Sequence, residues 1–269
     1  MISESNRVHL VDKRCDGDVA NTPISNHLLL RFVAKDKRFT KIDFKYSIFD
    51  TCYLRNCVFD SCDFTGCRFV ATNLYGSTFS GCRFDYSTFE RTLVDSCILD
   101  TECPGHENLK MKFARVLRIN YQQLGDATGA NKAMNVELQA TEVHLHKAWH
   151  SNEAYYRQKY TGLMRVRTYL DWLQFKALDF VWGNGESTWK LLRASVIVLV
   201  GIAAIDVAIF RSNPTLHDCI RAMIESPQIF LGTFVPAGYP HLYLTLILCV
   251  RLVAFGFFMS IIIKRLNRR

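Results

Sequence analysis

The sequence predicts a multidomain chain: a β-solenoid built on five-residue repeats, an α-helical middle, and a two-helix transmembrane domain with a re-entrant loop. Three observations carry this. A large apolar residue recurs at every fifth position from Phe39 to Leu99. Residues 108–148 space their apolar side chains as a helix does. Two long apolar runs occupy residues 189–210 and 239–263, with Lys and Arg beside them.

The repeat comes first, because a missed repeat misassigns the whole fold. Its large positions run Phe39, Phe44, Phe49, Leu54, Phe59, Phe64, Phe69, Leu74, Phe79, Phe84, Phe89, Val94 and Leu99. Two residues before each stands a small one, including Cys52, Cys57, Cys62, Cys67, Thr72, Ser77, Cys82, Ser87, Thr92 and Cys97. Only Lys37 and Ile42 break that second rule. A period of five fits neither a helix nor a simple strand. It requires a coil whose wall repeats every five residues, with the large and small positions both inward.

This stretch resembles the pentapeptide-repeat family. The resemblance implies a right-handed, four-sided (quadrilateral) β-solenoid with one pentapeptide to a side. The repeats from Phe39 to Leu99 would then make about three coils, a column about 15 Å tall at strand spacing. Solenoid ends need covering, and residues 1–38, with Leu28-Leu29-Leu30 and Phe32-Val33, are read as an N-terminal cap ahead of a solenoid over 39–103. Six of the ten Cys fall at the inward small position, where Cys packs as a small, easily buried side chain. They lack the close pairs and His partners of zinc sites. Some family members mimic DNA with a long acidic column. Residues 39–100 carry 6 Lys/Arg against 8 Asp/Glu, net −2, too little for that role.

Charge is informative by its place. The chain carries net +8 and a mean hydropathy of +0.03. Residues 191–269 hold 8 Lys/Arg against 3 Asp/Glu, net +5, beside the most apolar sequence. A nucleic-acid domain instead lines one polar face with basic residues, so no nucleic-acid partner is expected. Residues 1–20 have no apolar core of a secretory signal, and no lipidation motif is visible.

Residues 104–187 read as a helical hairpin and a membrane-surface helix. Leu109, Phe113, Val116, Leu117, Tyr121 and Leu124 share one helix face; Ala133, Val136, Ala140, Val143 and Ala148 share another. Gly125 suits the end of the first helix, and Asp126 or Thr128 the cap of the second. His144, His146 and His150 lack a spaced third ligand or an HExxH glutamate, so no metal or cofactor is expected. From Ser151 to Trp182 aromatic and basic residues interleave. Base stacking uses such a mixture, but the apolar run that follows favours a helix on a bilayer surface, anchored by Trp172, Phe175, Trp182 and Trp189. Gly183-Asn184-Gly185 breaks it, and Ser187 or Thr188 caps the next helix.

Residues 188–269 read as the transmembrane domain. Trp189 to Phe210 holds three charges, Lys190, Arg193 and Asp206, the first two before the apolar stretch; Tyr239 to Ile263 holds one, Arg251. Each is long enough for the hydrocarbon core of about 30 Å. Lys190 and Arg193 precede the first; Lys264, Arg265, Arg268 and Arg269 follow the second; Arg211 and Arg221 lie between. The positive-inside rule then puts both chain ends in the cytoplasm of a cell (inner) membrane protein. Between the spans come a short amphipathic helix, Leu216 to Ser226, and an apolar loop, Ile229 to Gly238.

The order span, short helix, Gly-containing loop, span resembles the two-transmembrane pore domain of the potassium-channel-like superfamily. The resemblance implies a symmetric homo-oligomer, normally of four subunits, that passes inorganic ions. Gly232, Thr233, Phe234, Val235, Pro236 and Gly238 would form the pore loop. They do not reproduce the TVGYG filter, whose carbonyls replace the hydration shell of potassium. Cys103-Pro104-Gly105-His106-Glu107-Asn108 and Trp182-Gly183-Asn184-Gly185-Glu186-Ser187 also resemble a bacterial group of pentapeptide-repeat proteins with ion-channel-like domains. Intramembrane charges default to functional candidates. Asp206 and Arg251 are expected either to pair or, for Arg251, to ring the pore. Gly256 allows a hinge or close helix packing.

The functional expectation is therefore an oligomeric, ion-channel-like membrane protein whose cytoplasmic solenoid senses a protein partner or joins subunits. The alternative is a membrane-anchored interaction scaffold without conduction. No nucleophile–base pair or P-loop stands out, so no enzyme is expected.

Overall fold

The computed structural model describes residues 7–183, 187–211 and 215–266. Asn184, Gly185, Asn213, Pro214 and the basic residues Arg268 and Arg269 lie outside them. The chain forms two compact units, residues 1–165 and 166–269.

The first unit is a β-solenoid of about four turns followed by helices. Its strands are short: β1 (Val8–Val11), β2 (Val19–Ala20), β3 (His27–Leu30), β4 (Arg38–Thr40), β5 (Ile48–Asp50), β6 (Val58–Asp60), β7 (Arg68–Val70), β8 (Thr78–Ser80) and β9 (Thr88–Glu90). They form two parallel sheets, ordered β1-β3-β5-β7-β9 and β2-β4-β6-β8. Phe39 pairs with Phe59 and Phe59 with Phe79, so one coil takes 20 residues, or four pentapeptides. Every fifth residue turns a corner with positive φ. Gly66, Gly76 and Gly81 do so freely. Gly66 is also needed for space: a Cβ there would collide with the Tyr46 ring.

The inward residue types follow from this winding. The large position repeats directly above itself, so Phe rings stack in ladders. Phe44–Phe64 and Phe64–Phe84 centroids are 5.1 and 4.9 Å apart, Phe49–Phe69 and Phe69–Phe89 both 4.8 Å. That is the rung spacing of a sheet. Where the small position is polar, its side chain also bonds the backbone. Thr72 Oγ1 donates to the Phe49 carbonyl at 3.1 Å and accepts from the Cys52 amide at 3.3 Å. Ser77 Oγ does the same between Leu54 and Cys57, and Cys67 Sγ donates to the Phe44 carbonyl at 2.9 Å. Each side chain thus fills backbone hydrogen-bonding capacity inside the column, which an alanine of similar size leaves open.

Two expectations at the ends of the column are corrected. Residues 7–38 are coil, not cap: β1 pairs with β3 and β2 with β4. The column therefore has five rungs on one side, about 19 Å. The period hides there for a physical reason. Ala34 takes a large position, and Phe32 and Lys37 take small ones. Between Cys15 and Val19 the coil is one residue short, since Arg14 bridges Val33, 19 residues on, whereas Val19 pairs with Phe39, 20 on. At the other end Cys97 is exposed rather than inward. The wall ends at Val94, and Leu99 is buried from a helical turn, α1 (Ile98–Thr101).

That end is closed by helices. α2 (Glu107–Gln123) and α3 (Ala127–His150) form the expected hairpin, with Asp126 capping α3 through Gly129 and Gly125 at φ 73° between them. Phe113 of α2 continues the ring ladders over Phe84 and Phe89. Side chains replace the missing next coil. Asn120 accepts from the Thr92 amide and donates to its carbonyl, both at 2.8 Å, and Glu102 accepts from the Cys82 amide at 2.6 Å. Glu137 of α3 holds Arg115 and Arg118 of α2 at 2.7 and 2.8 Å. The hairpin is followed by α4 (Ala154–Lys159). His144 is buried between the Tyr156 and Tyr160 hydroxyls, at 3.3 and 3.2 Å, and burial lowers its pKa. Among the described residues no cluster suits a metal ion.

Burial pushes the Cys52 thiol up to about 11 and Cys67 to about 12. A water-soluble maleimide should label Cys97 in the native protein and leave Cys52, Cys57, Cys62, Cys67 and Cys82 unmodified until denaturation. Peptide mass spectrometry checks this. Labelling of the inward five at the rate of Cys97 would show the register to be wrong.

The second unit is helical, with α5 (Leu163–Trp182), α6 (Thr188–Ile205), α7 (Leu216–Leu231) and α8 (His241–Leu266). Thr188–Phe210 and His241–Ile263 are each long and apolar enough to cross a membrane. Only 17% and 11% of their most apolar stretches is buried, unlike the core helices of a soluble domain. They present leucine, isoleucine and valine outward, which weakly suggests membrane association.

Candidate functional site

The charged and irregular residues of the second unit gather between the two apolar helices. Ser187 starts α6 by accepting from the Lys190 amide. The helix changes to a π segment over Asp206–Phe210, a form that occurs frequently at functional sites. Asp206 is 6% exposed. Its carboxylate accepts from Arg211 Nε at 2.7 Å and from the Tyr239 hydroxyl at 2.7 Å. Arg211 reaches on to Glu225 of α7 at 3.0 Å, and Glu225 also holds Arg221 at 2.7 Å.

α7 is longer than its sequence suggests. Thr215 and Asp218 form a capping box at its start. Pro227 lies inside the helix and leaves the Met223 carbonyl without its usual amide donor. The Ser226 hydroxyl donates to that carbonyl at 3.1 Å. The helix therefore continues through Ile229-Phe230-Leu231, which the sequence alone assigned to the loop. It ends at Gly232, whose φ of 78° is left-handed. The Thr233 and Phe234 amides and the Thr233 hydroxyl all donate to the Gln228 carbonyl. Phe234 and Val235 are exposed, and the Pro236 carbonyl accepts from the Tyr239 amide. Gly238 and Gly256 have open space where a Cβ would stand, so neither marks a close approach within the chain.

Asp206 and Arg251 do not pair within the chain. Arg211 lies five residues from Asp206 and takes the carboxylate. Arg251 donates from Nη1 to the Leu231 carbonyl at 2.7 Å. It thus places a cation at the C-terminal end of α7, where helix carbonyls lack partners and the dipole is negative. Its guanidinium borders an apolar groove of about 630 Å³ lined by Trp189, Leu192, Phe230, Phe255 and Phe258. A Cβ on Gly232 would strike the same guanidinium. Gly232→Ala should therefore cost about 1–2 kcal/mol for the left-handed backbone, plus the collision. Arg251→Leu should relieve the collision, so the double variant is less destabilised than the sum of the singles. A thermal-unfolding cycle in detergent measures this; strict additivity would refute the contact.

Of the expected surface anchors, Trp172, Phe175 and Trp182 are half-buried on α5, Trp182 stacking on Phe257 at 4.3 Å, while Trp189 on α6 is 75% exposed. Arg211, Glu225, Gln228 and Tyr239 were not singled out from the sequence. Arg211 counted there only as a connecting cation; Tyr239 was only the first residue of a span.

Residues 44–100 match the family described as pentapeptide repeats (nine copies). Among solved structures the chain is similar to trypsin-treated QnrB1, a plasmid-mediated fluoroquinolone resistance protein, at 15% identity and a TM-score of 0.11. That match covers 34% of this chain and 64% of QnrB1. No curated protein matches the chain. The chain thus carries a pentapeptide-repeat β-solenoid, followed by a helical region with two helices able to cross a membrane.

Proposed function

We propose that the chain is an oligomeric, channel-like membrane protein, normally of four subunits, with both ends in the cytoplasm of a bacterial inner membrane. The solenoid, wound right-handed as in the family it matches, is its cytoplasmic platform for assembly or for a protein partner. One observation supports this most: between two apolar helices stands a third, α7, fastened at its start through Arg211 and at its end by Arg251, with an exposed loop beyond it. A simple turn needs no such fastening. The loop from Gly232 to Gly238 is the re-entrant segment in this reading, and Gly232-Thr233-Phe234-Val235-Pro236, with one glycine and a proline in place of TVGYG, argues against potassium selectivity. Ion passage makes no use of the bilayer-facing sides of α6 and α8, which meet lipid.

The particle mass in lipid nanodiscs tests the assembly. Four copies per disc supports the reading, and one copy removes it. Substituting Thr233 and Phe234 separates it from the scaffold reading: ion flux through reconstituted protein changes if the loop lines a pore, and binding to a solenoid partner alone persists if it is only a turn.

A further inference from the structure

We propose that Arg251 holds a small inorganic anion at the end of α7, and that the ion this chain passes is therefore an anion. The second half rests on the channel reading above; the first does not.

Residues 187–266 contain three carboxylates, Asp206, Asp218 and Glu225. Arg211 holds all three, at 2.7, 3.5 and 3.0 Å, and Arg221 shares Glu225 at 2.7 Å. Arg251 receives none of them. Among the described residues its hydrogen-bond partner is a neutral acceptor, the Leu231 carbonyl. It is the one Lys, Arg, Asp or Glu in the span His241–Ile263. By helix rise it lies about 15 Å from one end of that span and about 18 Å from the other. A charge at such depth is costly and is generally paired.

The charges around Arg251 set the sign of its partner. α7 ends at left-handed Gly232, directly beside the guanidinium. A helix C-terminus carries about half a negative charge, and an open one attracts a cation. Here the guanidinium occupies that place with a full positive charge, so the sum is positive. The loop Gly232–Gly238 contains no acidic residue, and neither does the lining of the groove beside Arg251. A guanidinium has five N–H donors. The bond from Nη1 to Leu231 uses one of them, and anions are the acceptors that bind the others most strongly.

Depth selects the source of the anion. Lipid phosphates stay in the headgroup region outside the hydrocarbon core, far from a side chain at mid-span. A carboxylate from residues 187–266 of a second copy would have to leave Arg211. A small inorganic anion arriving along the loop meets neither obstacle, and chloride is the probe that fits.

The test places the full chain in bilayers of phosphatidylcholine, which carries no net charge, across a potassium chloride gradient. Current should reverse near the chloride equilibrium potential. Arg251→Lys should keep that preference. Arg251→Gln, which retains an amide donor for the Leu231 carbonyl, should lose most of it. A second measurement needs no current. Chloride-35 line broadening by the chain in nanodiscs of the same lipid should fall several-fold in Arg251→Gln but not in Arg193→Gln, which also removes a cation. Reversal near the potassium potential overturns the proposal and leaves the channel reading standing. Arg251-dependent broadening without current in any chain supports the anion site and removes the passage. Equal broadening in the native protein, Arg251→Gln and Arg193→Gln overturns the site.

Discussion

Phe64→Ala is expected to lower the stability of the solenoid by about 3–5 kcal/mol. Phe64 is 1% exposed and sits at the centre of the ring ladders. It stacks on Phe44 and Phe84 and meets Phe49, Phe59, Phe69 and Phe79 edge-on or tilted. Alanine leaves a hole with a ring missing above and below. Neighbours held at fixed rung height cannot collapse into it, which places the loss toward the upper part of the range. In thermal unfolding of this unit the change amounts to roughly 6–20 °C. Tyr86, on the outer surface of an adjacent coil, is 67% exposed. Tyr86→Ala should change stability by about 0.5 kcal/mol or less. Similar losses at both positions would contradict the inward stacking.

Asp206→Ala is expected to destabilise the second unit by about 3 kcal/mol. Removing one partner of a buried ion pair generally costs about 3–5 kcal/mol, because the other charge stays behind. Arg211 keeps Glu225 at 3.0 Å, which holds the loss to the low end, but the Tyr239 hydroxyl loses its acceptor. Asp206→Asn should fall between alanine and the native residue, since an amide oxygen still accepts from Tyr239. Tyr239→Phe should be the mildest. Trypsin cleavage at Arg211 and Arg221 in detergent follows the release of the network. Equal cleavage of native protein and Asp206→Ala would show that the carboxylate fastens nothing.

The parts legible in the sequence were those set by a local period. Phe39 to Val94 declares the solenoid because the large position recurs there without a slip and the small position fails only at Ile42. Residues 7–38 wind the same way yet conceal it, since Ala34, Phe32 and Lys37 reverse the sizes and one coil is a residue short. Cys97 shows the opposite failure: the spacing continues after the backbone has turned helical. Asn120 and Glu102 close the last coil by hydrogen bonds from outside the repeat, and no period announces them. In the second unit the two apolar helices and the cap at Ser187 were local and readable; the capping box at Thr215 was not singled out. The partners of Asp206 and Arg251 were not. A carboxylate chooses among cations by distance in the fold, and Arg251 bonds a main-chain carbonyl, which every residue carries. α7 outran its expected end because the Ser226 hydroxyl offsets the donor lost at Pro227.

Ion flux through purified protein in liposomes tests the central claim most directly. The structure indicates where to cut. Removing residues 1–103 would strip α2 of the coil it covers and expose Phe113 and Leu117, whereas removal of residues 1–161 ends at Gly162, just before α5, and leaves the second unit whole. The full chain and the shortened chain are compared in the same vesicles. The account predicts ion flux from at least the shortened chain, altered by substitution in Gly232–Pro236. Correctly inserted protein that passes no ion in either form would contradict it.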